Sequence, residues 1–518
     1  MKVFKYFTLL ALLTGISLAA CQSEKKPEQK PPAPQAVSTP QMKMTTPLPE
    51  GIVSPNQMDS RIGKLEFFDG VPTPESEEKI YDYLDFHRGV EAFVNGIQIA
   101  SMEAIKEGLL KFGPANQTVM LFEGLMDSKS FWLTPNTTSV YMSCWVELGE
   151  EPMVIETPPD VLGIIDDHWF QYVADFGRLG PDKSKGGKFL LIPPQYKGKI
   201  PEGYFNCATV TNGHWIIWRG FQKDGSTQSA IEATKKHFKI YPLSQKANPP
   251  ALNFLNISGQ FSNTIHRMDE KIYEEINAAV QAEPFEGLNP EIASTLATIG
   301  IEKGKTFQPD GRMQKILKES AAMGSAIVRT LMSKPRDERF FLYPGESVWV
   351  NPLVYRRYDF LHKGVRLIDA RAAFHFYATG ITPAMAAKFI GKGSQYAIAY
   401  SDKKGNTLDG SKTYKITIPA NPPMKDFWSF TIYDNQTRSM LQTDYQFPGI
   451  DSGKKDLLTN PDGSVDIYFS PEAPAGKTEN WIQTIPGKGW NVIFRLYGPL
   501  EPWFEKTWRP GDPELIES

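Results

Sequence analysis

Three polar side chains on short alternating segments are the candidates for chemistry in the first half of the chain: Tyr141, His168 and Arg219. A phenol can donate a hydrogen bond, an imidazole can exchange a proton near neutral pH, and a guanidinium can hold an anion. Tyr141 and Arg219 sit among apolar residues at strand spacing, where a structural hydrogen bond is the plainer role. Asp166-Asp167-His168 precedes another such segment and reads first as a solvated turn, second as a Ca²⁺ or acid–base group. In the last third of the chain, Trp428, Trp481 and Arg495 are the candidate ligand-binding residues. Rings of this kind lie under sugar faces or small molecules where a cleft exposes them, and otherwise pack a core. Asp434, followed by Asn435, is a turn residue by the same reading.

Other motifs fail. Gly300-Ile-Glu-Lys-Gly-Lys-Thr306 is one residue short of a phosphate loop and falls between helical segments rather than after a strand. Neither a Gly-x-Ser-x-Gly elbow nor a His-Glu-x-x-His pair occurs. The 7 histidines are scattered with no pair at metal-ligand spacing, so no metal site is assigned and the cofactor is left unknown. Arg356, Arg357, Asp369, Arg371 and His375 cluster among aromatic residues, where arginine stacking is the first reading and an anion site the second.

The elements that must position these groups are mostly strands. Aromatics make up 12% of the chain, and 41 prolines and 41 glycines punctuate it, a pattern of short strands and turns rather than long helices. At 518 residues the chain is long enough for about three domains. Its net charge of −3 provides no electrostatic footprint for nucleic acid.

Residues 1–20 read as a signal peptide: Lys2 and Lys5 precede an apolar run too short for a comfortable membrane span. Leu18-Ala19-Ala20-Cys21 follows, and it resembles a bacterial lipoprotein signal in which Cys21 becomes the lipidated N-terminus. Gln22 after it resembles the outer-membrane default, which implies an outer-membrane lipoprotein facing the periplasm or the cell surface, with the lipid bilayer as partner. Residues 21–70 read as a disordered tether, proline-rich and charged with little to bury. Cys144 and Cys207 then stand in an oxidising compartment, either bridged or separately buried.

Residues 71–250 read as N-terminal helices followed by a β-sandwich. Tyr83, Phe86, Val90, Phe93 and Ile97 repeat at helical spacing, as do Met102, Ile105 and Leu109, with Asn95-Gly96 expected to weaken continuity between the two helices. Residues 251–380 change period to a helical insert, with Asn289 and Asp310 as N-caps. Residues 381–518 return to strands, with Trp428, Phe430 and Ile432 alternating against Ser429, Thr431 and Tyr433.

The order Asn136…Tyr141, Pro152-Met-Val-Ile, Trp169-Phe-Gln-Tyr-Val, Gly187-Lys-Phe-Leu-Leu-Ile-Pro and Trp218-Arg219 resembles the bacterial domain of unknown function 1254. Leu408-Asp-Gly, Phe427-Trp-Ser, Thr431-Ile-Tyr-Asp434, Asn480-Trp481 and Arg495-Leu-Tyr-Gly-Pro499 resemble domain of unknown function 1214. Members of the first family carry Asn-x-Asp-Thr-x-Tyr where this chain has Asn136-Thr-Thr-Ser-Val-Tyr141, so the acid is lost and the Asn and Tyr are kept. The resemblance implies a mainly β fold with a helical insert (α+β): an immunoglobulin-like β-sandwich, a helical segment and a C-terminal jelly-roll-like β-sandwich. The functional expectation is an envelope-anchored lipoprotein that binds a small molecule or glycan in a cleft between or on its β domains. The alternative is an envelope hydrolase or lyase with an inter-domain active site.

Overall fold

The computed structural model describes residues 40–516. The expected signal peptide, Cys21 and the expected tether as far as residue 39 lie outside the described residues. Strand structure begins inside the stretch expected to be tether: Gln57–Ser60, Gly63–Phe68 and Val71–Pro72 form a three-stranded antiparallel meander. Its Leu65 is buried, and Glu66 N donates to Ser76 Oγ at 2.8 Å, which fixes the meander to the start of the first helix.

That helix, α1 (Pro74–Leu110), is one continuous element of 37 residues, not the two expected from Asn95-Gly96. Thr73 caps it and Pro74 occupies the first turn, where its missing N–H costs nothing. Gly96 does not break the helix because it is needed for contact. A Cβ there would lie 2.6 Å from Ile276 Cδ1 on α3 (Ile272–Ala282). Gly324 of α5 (Gly311–Ser333) meets Phe93 in the same way, at 2.5 Å. Propensity gives way to packing at both places. Asn289 caps α4 (Pro290–Thr298) and Asp310 caps α5, both as expected.

Two sandwiches flank this helical layer. The first has a six-stranded sheet in the order Asn253–Asn256, Thr118–Leu121, Val140–Glu147, Gly213–Gly220, Leu162–Asp167, Tyr172–Gly177. Its partner sheet runs Phe205–Ala208, Lys188–Ile192, Met153–Glu156, Lys239–Pro242, and α2 (Gln228–His237) packs Ala230 and Ile231 into the core between them. Cys144 and Cys207 lie in this same core, both buried and free, so the bridge considered from the sequence is not formed. With no cation near, burial alone pushes the Cys207 thiol up to about 12.

In the second sandwich, one sheet is Ser394–Ala399, Trp490–Tyr497, Trp428–Asp434, Gly449–Asp451 and the other is Trp481–Gln483, Val465–Ser470, Tyr414–Ile418, Glu514–Leu515. The expected mixed α+β architecture with sandwich-like β regions is what the chain forms.

Strand alternation decides which residues look inward. On Trp490–Tyr497, Val492, Phe494 and Leu496 enter the second sandwich's core, while Ile493 points to the central core shared with the helices. On Gly213–Gly220, Ile216 and Trp218 enter the first sandwich, while Trp215 and Ile217 turn to the same central core. The outer faces of one sheet from each sandwich thus look at each other across the seam. Helix α6 (Ile368–Tyr377) joins them there through Phe374 and Tyr377.

Candidate functional site

A cavity of about 120 Å³ lies in this seam. Its apolar wall includes Leu162, Ile164, Trp215 and Ile217 from the first sandwich, Phe374 from α6, and Ile398 and Ile493 from the second. Its polar groups include Asn136, Tyr141, Arg219, Asn351, Tyr377, Tyr396 and Arg495, with Ser394 and several threonines. The volume is close to the roughly 150 Å³ of a cavity that accepts one benzene ring.

Three of the sequence candidates meet here. Tyr141 and Arg219 are directly paired in register on neighbouring strands, which puts both side chains on the seam face. Arg495 arrives from the other sandwich on the strand that pairs it with Tyr396 and Ser429. Its Nη2 donates to Thr134 O at 2.8 Å, its Cζ lies 5.9 Å from the Tyr396 ring and 5.6 Å from the Tyr433 ring, and its Nη1 has no partner in the protein. Arg219 lies over the Tyr497 ring at 6.0 Å. Asn136 Nδ2 donates to the Tyr141 hydroxyl at 2.7 Å, while Asn136 Oδ1 accepts from Thr138 N at 3.0 Å and Ser139 N at 2.9 Å. That network fixes the amide's orientation and leaves the Tyr141 proton free to be donated. Burial pushes the Tyr141 phenol up, against the pull of Arg219, so it stays protonated. Where the family pattern has an acid, Thr138 Oγ1 instead sits 3.2 Å from Tyr497 Oη.

The other candidates are elsewhere. His168 is fully buried, with Nδ1 2.6 Å from Glu283 Oε1 and Nε2 2.7 Å from Glu103 Oε2, so it is neither a solvated turn residue nor a member of the cavity. Trp428 is 2% exposed and packs on Phe430 and Phe494 inside the second sandwich, on the face opposite the seam. Trp481 stands at the rim of the far sheet, donating to Ser470 O at 3.0 Å and meeting Tyr445 edge-on. Asp434 is a turn residue as expected, accepting from Gln436 N at 2.6 Å and Thr437 N at 3.1 Å. Of the aromatic-rich cluster, Arg371 donates to Asn95 Oδ1 of α1 at 2.8 Å and His375 is wedged between Phe170 and Phe360, which ties α6 to its neighbours. Among the described residues no group of three His, Cys, Asp or Glu is arranged to hold a metal ion.

Sequence reasoning missed Tyr377, Tyr396 and Asn136 as cavity residues. Asn136 and Tyr141 were visible as a kept pair. Tyr396 and Arg495 share a strand register that only the sheet order reveals.

The stretch that brings Ala378, Thr379 and Thr382 to the cavity is pinned to the first sandwich by two buried acids. Ile381 N donates to Asp166 Oδ2 at 2.9 Å, and Thr382 Oγ1 donates to Asp175 Oδ1 at 2.6 Å. Burial raises Asp175 to about 6, although Thr382 and Tyr172 pull it partly back. A folded value above the ordinary 3.8 means that the fold binds this proton better than the unfolded chain does. The group's contribution is therefore best below about pH 4 and is lost as pH rises through about 6. Asp175→Asn keeps an acceptor for Thr382 and removes the charge. Urea denaturation should show it stabilising the protein by up to about 3 kcal/mol at pH 7.5 and negligibly near pH 4. An equal effect at both pH values would contradict this account.

Comparison with known proteins places the cavity at a junction of two families. Residues 116–242 match the model described as protein of unknown function DUF1254, and residues 393–501 match that described as protein of unknown function DUF1214. Tyr141 and Arg219 fall in the first match and Arg495 in the second. The crystal structure of the VPA0106 protein from Vibrio parahaemolyticus is similar at a TM-score of 0.52 and 18% identity, covering 84% of this chain and 100% of that one. A putative uncharacterized protein from Burkholderia cenocepacia aligns at 11% identity with a TM-score of 0.38, over 84% of this chain and 96% of the other. No curated protein matches the sequence. The two matches stand in tandem on either side of the seam, a DUF1254 segment followed by a DUF1214 segment in one chain.

Proposed function

We propose that this protein is an envelope lipoprotein, anchored in the bilayer through Cys21, that binds a small molecule in the cavity between its two sandwiches. The observation that carries the binding reading is the composition of the cavity wall: rings and aliphatic side chains from both sandwiches and α6, with a few convergent polar groups from both families' segments. Arginine and tyrosine are the ionisable side chains lining it. A guanidinium is always charged and cannot exchange protons at physiological pH, and burial pushes the Tyr141 and Tyr377 phenols up, further from that range. The wall therefore favours holding a ligand over the acid–base work of a hydrolase or lyase. Its volume fits one ring, which favours a small molecule over a glycan. No helix among the described residues is long and apolar enough to cross a membrane. The anchor reading rests on the Leu18-Ala19-Ala20-Cys21 pattern.

A thermal-shift screen of single-ring compounds on the full chain tests the binding reading. A ligand at 100 times its Kd should add about 2.7 kcal/mol of stability. Ile164→Trp, which fills the cavity, should abolish the shift relative to its own unliganded melting temperature. A shift that survives Ile164→Trp, or a screen without any shift, would sink the proposal. The anchor is tested separately by palmitate incorporation, which Cys21→Ser should eliminate.

A further inference from the structure

We infer that the ligand of the seam cavity is a small organic acid, its carboxylate held between Arg219 and Arg495 and its apolar body, about the size of a benzene ring, lying against Trp215 and Ile217. This rests on the reading of the cavity as a binding site and adds the ligand's chemical class.

The two guanidiniums are what the wall leaves unexplained. Both line the cavity, and neither makes an ion pair with any Asp or Glu among the described residues. Arg495 is 3% exposed, and its buried Nη1 has no acceptor in the protein. Arg219 lies over the ring of Tyr497, with Tyr141 and Tyr396 also near it. Burial lowers the Arg219 value and the nearby Arg495 lowers it further, while Tyr141, Tyr396 and Tyr497 outweigh both and raise it. Two permanent cations facing one largely apolar space are costly unless an anion joins them.

A carboxylate fits this arrangement in two ways, and a phosphate does not. Its two oxygens can each accept from one guanidinium, in the charge-assisted geometry that arginine favours. The Tyr141 hydroxyl, already accepting from Asn136, presents its proton to the same space. A phosphate, with further charged oxygens, would have to set some of them against Ile164, Ile217 and Ile493.

The approach to the cavity has matching chemistry. An open vestibule of about 710 Å³ shares Leu162, Arg219 and Ser394 with the cavity, so Arg219 stands at the junction of the two. Arg178, Lys183, Lys392 and Lys425 line the vestibule with a single carboxylate, Asp426, which lies 3.9 Å from Arg178. Asp160, 3.4 Å from the Arg178 guanidinium, offsets part of this charge. Among the described residues Lys183, Lys392 and Lys425 make no ion pair, and a basic mouth of this kind concentrates anions.

Titration calorimetry on the full chain at pH 7 with benzoate, benzyl alcohol and phenyl phosphate tests the assignment. Benzoate should bind about 10- to 100-fold more tightly than benzyl alcohol, the usual range for charge-assisted hydrogen bonds. Arg219→Gln should weaken benzoate about 10-fold or more and benzyl alcohol by a much smaller factor, and Arg219→Lys should restore part of the loss. Equal affinity for benzoate and benzyl alcohol would overturn the carboxylate assignment and leave the binding reading standing. Tighter binding of phenyl phosphate than of benzoate would overturn the class of acid. If benzyl alcohol and both anions all fail to bind, the binding reading falls with it.

Discussion

His168→Leu is expected to cost the fold about 3–5 kcal/mol at pH 5.5, the largest loss for any single substitution considered. The imidazole has carboxylates on both nitrogens, so both must donate and the ring is an imidazolium. Glu283 Oε2 also accepts from Asn212 N at 2.5 Å, Glu283 Oε1 accepts from Gly213 N at 2.9 Å, and Lys106 Nζ lies 3.3 Å from Glu103 Oε2. The cluster fastens α1, the turn after the Leu162–Asp167 strand and the C-terminal end of α3 at one point. Leucine would leave two carboxylates buried without their shared cation, and the charge they can no longer balance is the source of the loss.

The pH dependence follows from the same contacts. Burial alone would lower the His168 value, but Glu103 and Glu283 outweigh it and raise it above 6.5. Burial would likewise raise both glutamates, but His168 holds each below 4.5. The histidine's contribution is complete below about pH 6.5 and is lost as pH rises through its higher folded value. The glutamates' contribution is complete above about pH 4.5 and is lost as pH falls through their lower folded values. Wild type and His168→Leu should therefore differ most between about pH 4.5 and 6.5. Urea titrations across that range measure the difference, and a gap below about 1 kcal/mol at pH 5.5 would show that the cluster is not an ionised clamp.

How much of this was legible in the sequence depended on the range of each contact. The alternation of Trp428–Asp434 and Trp490–Tyr497 was readable because a strand's period is local. Which of the two faces looks into a sandwich and which into the seam was not, and Trp428 was assigned to the wrong one. Both faces carry large apolar groups, since both are buried, and nothing within seven residues distinguishes them. Tyr141 and Arg219 were picked out as polar groups among apolar strand neighbours, and they do share a register. The partners of His168 are 65 and 115 residues away on helices, so an Asp-Asp-His run looked like a surface turn when it is core. The break expected at Asn95-Gly96 failed for a related reason. Gly96 is tolerated inside α1 because Ile276, 180 positions later, needs its space.

Arg495→Met should have the opposite effect to the loss of His168, and the contrast separates a charge the fold has satisfied from one it has left for a ligand. His168 is closed on both sides by carboxylates, whereas Arg495 has one carbonyl, two rings and an unpartnered Nη1. Replacing buried charged groups by apolar side chains of similar volume is often neutral or stabilising, by about 1–4 kcal/mol where an ion pair is replaced. Here Thr134 O loses its donor, which offsets about 1 kcal/mol of the gain. The expected result without ligand is a rise of up to about 3 kcal/mol in unfolding free energy, seen as a higher denaturation midpoint at constant slope. Benzoate should then no longer raise the midpoint. Destabilisation by several kcal/mol would instead mean that the guanidinium serves to hold Tyr396 and Tyr433 in place, and the seam would lose its claim to an anion. A gain in stability bought with the loss of ligand is what a preorganised binding site predicts, because a group kept ready for an absent partner strains the fold that keeps it.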